Sequence, residues 1–146
     1  MLQGSLLEML VAPDSTVCLA GVMPAIRAEM NRAANKYPEG RKRLVDAINE
    51  VAGREGIALT SGGGKTITID QLNKWLQSGE RGHEPSLVAI LCFCLAANTF
   101  SPLLPLLRVS GLHVVPREKV KFLDYGETCW RLKEEKQRLR NLEAKL

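Results

Sequence analysis

Apolar positions recur at helical spacing along most of this chain. Pro24 suits the first turn of a helix, and Ile26, Met30, Ala33 and Ala34 carry the pattern to about Lys36. Tyr37-Pro38-Glu39-Gly40 reads as a loop. From Arg41 to about Ala52, Leu44, Ile48, Val51 and Ala52 share one face, with Arg41, Asp46 and Glu50 off it. Gly53 and Gly56 read as its end. The next helix starts at Thr68-Ile69-Asp70-Gln71, which fits a capping box: Thr68 accepts from the third helical amide and Gln71 reaches back. Asp70 adds negative charge at the positive end of the helix dipole. Ile69, Leu72, Trp75 and Leu76 form its inner face, Asp70, Gln71, Lys74 and Gln77 its outer one, and Ser78-Gly79 its stop.

Beyond the polar loop Gly79–Glu84, Pro85-Ser86 opens an almost wholly apolar helix to about Ala97, expected to lie at the centre of the core. Ser101-Pro102 starts a short helix over Leu103–Val109, closed by Ser110-Gly111. Leu112–Val115 reads as extended, and Pro116 begins a last helix to Leu146. Two stretches leave the helical period. In residues 57–67, strand-like tetrads flank Ser61-Gly62-Gly63-Gly64-Lys65, which reads as a small β-hairpin or a flexible loop. Residues 1–23 read as an N-terminal arm, with Leu2, Leu6, Leu7, Leu10 and Val11 on one face of a short helix stopped by Pro13-Asp14-Ser15.

Composition agrees with a helical core. The chain has 146 residues, a single-domain length, and 45% apolar but only 5% aromatic content, so Leu, Ala, Val and Ile must fill the interior. The expected fold is all-α. The longest apolar run is about a dozen residues, short of a membrane span, and Glu8 and Asp14 sit where a secretory leader would be basic and apolar. A cytoplasmic protein with no membrane partner is the expectation. Net charge is +4, but residues 1–23 hold two acids and no Lys or Arg, so the rest of the chain carries a basic excess. That balance allows an acidic partner without requiring one.

Candidate chemistry is sparse. Cys18, Cys92, Cys94 and Cys129 show no CxxC spacing and no His in ligand register, so neither a metal nor a disulfide framework is expected. Cys92 and Cys94 fall in the apolar run and read as small buried hydrophobes. Gly62-Gly63-Gly64-Lys65-Thr66 echoes a phosphate-binding loop, but Leu59 stands where that pattern needs Gly. His83 and His113 have no nucleophile or paired carboxylate beside them, so no enzyme, cofactor or small-molecule ligand is expected.

The block Trp75-Leu76-Gln77-Ser78-Gly79, the polar loop and Pro85-Ser86-Leu87 resembles the helix-turn-helix domain of the lambda repressor and Cro class, over about residues 24–108. More loosely, Met30-Asn31-Arg32-Ala33-Ala34, Lys74-Trp75-Leu76 and the basic tail look like small regulatory proteins of Mu-like transposable bacteriophages. The resemblance implies an arm over 1–23, a DNA-binding domain over 24–111 and a C-terminal helical extension over 112–146. It implies a regulator that binds double-stranded DNA as a homodimer, with the 68–78 helix in the major groove. Thr68, Gln71, Asn73 and Lys74 would then contact bases, since Gln and Asn pair bidentately with adenine and Lys with guanine. Arg41, Lys42, Arg43 and Arg81 would grip phosphates. The departure from that class is the interval between the second and third helices, roughly fifteen residues (Gly53–Ile67) where a helix-turn-helix has three or four. Either 57–67 is an insertion that leaves the helix pair intact, adding Lys65 and Thr66 to the backbone contacts, or the helices cross differently.

In the last helix Leu132, Leu139 and Leu146 fall at heptad spacing with Leu142 between, a short self-association stripe. The competing reading packs this helix on its own domain through Phe122, Leu123 and Trp130. Nine basic residues against six acids in 117–146 add a further phosphate-facing surface. Two other functions fit the same pattern: a protein-interaction adaptor using the arm and the last helix, and a packaging or transposition accessory protein that oligomerises on DNA.

Overall fold

The computed structural model describes residues 18–77, 79 and 83–146. The amphipathic pattern over Leu2–Val11, together with Ser78 and Arg81, lies outside the described residues. Among those described there are six α-helices and no strand: α1 Val22–Lys36, α2 Gly40–Glu55, α3 Ile69–Leu76, α4 Leu87–Ala97, α5 Leu104–Val109 and α6 Val120–Glu143. The chain is all-α.

Local chemistry sets most helix ends. α2 runs through Gly53 and stops at Gly56, whose left-handed φ of 67° lets its N–H reach the carbonyls of Ala52 and Gly53. α3 carries the capping box in full, with the Gln71 N–H donating to Thr68 Oγ1 at 3.3 Å and the Thr68 N–H to Gln71 Oε1 at 2.8 Å. Ser86 caps α4 by accepting from the Ala89 N–H at 3.1 Å. Asn98 closes α4 in the left-handed region, a role short polar side chains tolerate.

α1 begins two residues before Pro24, and it carries two parallel stripes at four-residue spacing. Val22, Ile26, Met30 and Ala34 enter the core, while Arg27, Asn31 and Asn35 run beside them as a polar row. Leu44, Val45, Ile48, Val51 and Ala52 of α2 meet Ala89, Ile90 and Phe93 of α4 in the same core, and Leu72, Trp75 and Leu76 seal it from α3. Burial of these aliphatic side chains is the main stabilising term, each contributing about 1.5–3 kcal/mol when fully withdrawn from water.

Residues 57–67 form neither a hairpin nor a loose loop. Gly64 C=O accepts from the N–H groups of both Leu59 and Thr60, at 2.7 and 3.2 Å, and Gly63 turns the chain with φ 81°. Leu59 and Ile67 anchor the two ends in the core. Ile67 pairs with a side chain rather than a strand: its N–H donates to Asn49 Oδ1 at 2.8 Å and its C=O accepts from Asn49 Nδ2 at 3.0 Å. Leu112–Val115 joins no strand either.

The chain divides into two compact units, one ending at His113 and the other spanning Val114–Leu146. The second unit consists of a short 3-10 turn at Arg117–Lys119 and α6. Phe122, Leu123 and Trp130 are exposed, so α6 does not use them to build a core of the kind found in the first unit.

Candidate functional site

α3 has only eight residues, and polar contacts from α1 and α2 help to fix it. Its N-terminus is set by the capping box and by the Asn49 grip on Ile67 just ahead of it. Its C-terminal turn is held by Arg27, which is 2% exposed and donates from Nε to the Trp75 carbonyl at 2.7 Å and from Nη2 to the Lys74 carbonyl. A buried guanidinium there satisfies carbonyls that a helix end leaves open and opposes the negative end of the dipole. Its flank is held by Arg41 at the start of α2. Arg41 donates from Nη1 to Asn73 Oδ1 at 2.7 Å, and from Nη2 to Asn31 Oδ1 and Asn35 Oδ1 at 2.8 and 2.7 Å.

These bonds redistribute the expected roles. Arg41 is engaged with three carboxamides instead of standing free for a phosphate, while Lys42 and Arg43 beside it are exposed. Thr68 and Gln71 hold each other, and Asn73 is half-buried against Arg41. Bidentate pairing with adenine uses the amide oxygen as acceptor. In Gln71 and Asn73 that oxygen already has a donor, and only the NH₂ groups stay free of these bonds. Lys74 is exposed and carries an unencumbered ammonium; Asp70 shares its face one turn earlier. Lys65 and Thr66 are exposed just ahead of the helix.

Beside Gln71 and Lys74 an open cleft of about 510 Å³ runs between α3, the turn at Leu59–Ser61 and the segment bearing His83, Glu84 and Ser86. Neither His83 nor Glu84 is joined there to a nucleophile. Among the described residues no group of three His, Cys, Asp or Glu can hold a metal ion, and no helix is long and apolar enough to cross a membrane. Burial pushes the thiol of Cys94 up to about 11, and that of Cys92 up as well, with the Glu55 charge adding to the effect at Cys92. Both are therefore poor nucleophiles near neutral pH.

Sequence reasoning missed Arg27, Asn31, Asn35 and Asn49, all of which act by placing α3. The first three had a signal: polar residues at four-residue intervals along a helix otherwise directed to the core. Asn49 had none beyond its place beside the apolar face of α2. Comparison of the chain with family models, with curated proteins and with solved structures found no match.

Proposed function

We propose that this protein is a sequence-specific regulator of the bacterial or prophage type, which binds duplex DNA as a dimer and acts by occupying its operator. The observation that carries this reading is the setting of α3: a short helix fixed at its N-terminus, flank and C-terminus, with a polar face left open. A reading element must hold its side chains in place before contact, and rigid helices do this better than loops. In this reading Lys74 addresses a guanine edge, and Asp70 and the free amide groups of Gln71 and Asn73 supply further donors and acceptors. Thr68, Lys65 and Thr66 approach the backbone or groove at the helix N-terminus, and Lys42, Arg43 and Arg81 grip phosphates. Leu132, Leu139 and Leu142 of α6, with Leu146 just beyond it, join the two copies.

The test is selection of the purified full chain against a random duplex pool. An inverted repeat with half-sites about one helical turn apart is the expected product, with the preference relaxed by Lys74→Ala. An unenriched pool from folded protein would overturn the reading.

A second reading, as a protein-interaction adaptor, is favoured by one surface. Leu87, Val88, Leu91 and Leu95 leave the outer side of α4 apolar and exposed. Salt separates the two functions, since phosphate binding weakens steeply with ionic strength and an apolar contact does not.

A further inference from the structure

α6 is the one α-helix among the described residues with no buried position, and its 24 residues extend about 36 Å at 1.5 Å per residue. Part of its apolar exposure is ordered, while Leu123, Trp130 and Leu142 lie off the stripe. Tyr125, Leu132, Leu139 and Leu146 fall at successive seven-residue steps, and Phe122, Cys129, Lys136 and Glu143 fall three residues before each. In heptad notation these are d and a positions over about three and a half heptads, against the two that the leucines alone mark out, with Leu146 just past the end of α6. Phe122 and Tyr125, 73% and 72% exposed, open the stripe at its N-terminal end. A helix of this length with a bare apolar seam gains most from a partner seam of the same period.

We propose that α6 pairs with α6 of a second copy as a parallel, in-register two-stranded coiled coil, with Cys129 facing Cys129 across the seam. Charge at the e and g positions favours this occupant and this direction. In a parallel pair, Glu135 at g lies opposite Arg140 at e of the other copy, twice over, and Lys136 at a lies beside the other copy's Glu135. An antiparallel pair sets e against e and g against g, bringing Lys133 onto Lys133 and Glu135 onto Glu135. Lys136 is a polar a position of the kind that specifies register and strand number at a cost in stability. The cost lies at a, where the same register sets Lys136 against Lys136 as well as Glu143 against Glu143. This pairing deepens the dimer of the proposed function, and it stands or falls without any DNA.

The test uses the full chain carrying Cys18→Ser, which leaves Cys129 as the exposed thiol. Sedimentation at about 100 μM should show a dimer, and a short bis-maleimide should link its two chains through Cys129. Cys129→Ser should abolish the link and keep the dimer. A monomer at that concentration overturns the proposal. So does a dimer that fails to cross-link, since antiparallel seams would separate the thiols by roughly 15 Å along the axis. Glu135→Arg should weaken self-association roughly tenfold, the scale of two ion pairs turned repulsive, and Glu135→Arg with Arg140→Glu should restore it. A double variant as weak as the single one overturns the register. A dimer insensitive to both and lost in Leu91→Lys places the interface on α4 and overturns the proposal as well.

Discussion

Asn49 and Ile67 satisfy each other's hydrogen bonding: one carboxamide takes both backbone groups of a residue eighteen positions away, at 2.8 and 3.0 Å. The side chain replaces a strand partner, and it fixes the point at which the loop hands over to α3. Replacing Asn49 by Ala removes two hydrogen bonds, each contributing about 0.5–1.5 kcal/mol net. A loss of about 1–3 kcal/mol in urea unfolding is expected. Asn49→Asp should be no better, because a carboxylate cannot donate to the Ile67 carbonyl. A stability within about 0.5 kcal/mol of the parent, the range of neutral surface changes, would show that the loop does not depend on this contact.

Arg41 and its two basic neighbours should behave as different kinds of residue. Arg41→Ala breaks the link from Asn31 and Asn35 to Asn73, so its main effect belongs on stability and on the placement of α3. Lys42→Ala and Arg43→Ala remove exposed charges and should leave folding nearly unchanged. If these two meet phosphates, each substitution lowers the slope of log affinity against log salt by about one unit. Titrations of a selected duplex at several salt concentrations read this directly. A slope altered by Arg41→Ala but by neither neighbour would reverse the assignment.

What the sequence disclosed and what it hid divide by range. Helices and caps were legible because their causes are local: the Thr68–Gln71 box, Ser86 ahead of α4 and Gly56 after α2 each act within a turn. Residues 57–67 misled for a physical reason. Ile57, Leu59, Ile67 and Ile69 alternate like strands, but Leu59 and Ile67 are single plugs into the core, and Asn49 takes the backbone groups that a hairpin partner needs. The contacts that place α3 join residues 18 to 48 positions apart, from Asn49–Ile67 through Arg41–Asn73 to Arg27–Trp75. No periodicity in one chain reveals such pairs. It shows only that Arg27, Asn31 and Asn35 line one edge of α1.

Gln71 has two roles that substitution can separate. Ala removes both the reach back to the Thr68 N–H and any contact to a base, so a weaker complex from Gln71→Ala proves little about reading. Gln71→Glu keeps an acceptor for the Thr68 N–H and suits the positive end of the dipole. It removes the amide donor. Stability should stay within about 0.5 kcal/mol of the parent, while the preferred base at the contacted position changes in a repeated selection. An unchanged preference would assign Gln71 to capping alone.

The cysteines give a prediction in pH. Cys18 and Cys129 are exposed, while Cys92 and Cys94 are buried with raised thiol pKa values, about 11 for Cys94. At pH 8 a thiol reagent should label Cys18 quickly, and Cys129 as well at dilutions where the chain is a monomer, and reach the other two only after unfolding. The same shift affects stability. The native state keeps the Cys94 proton above pH 9, where the unfolded chain loses it, so the unfolded state binds fewer protons and stability falls as pH rises. The loss begins near 9 and continues to about 11, with no contribution below that window. Replacing Cys94 by Ala, which does not ionise, should cost stability at pH 8 through the lost packing and flatten the decline between 9 and 11. An equally steep decline in that variant would assign the alkaline loss to other groups.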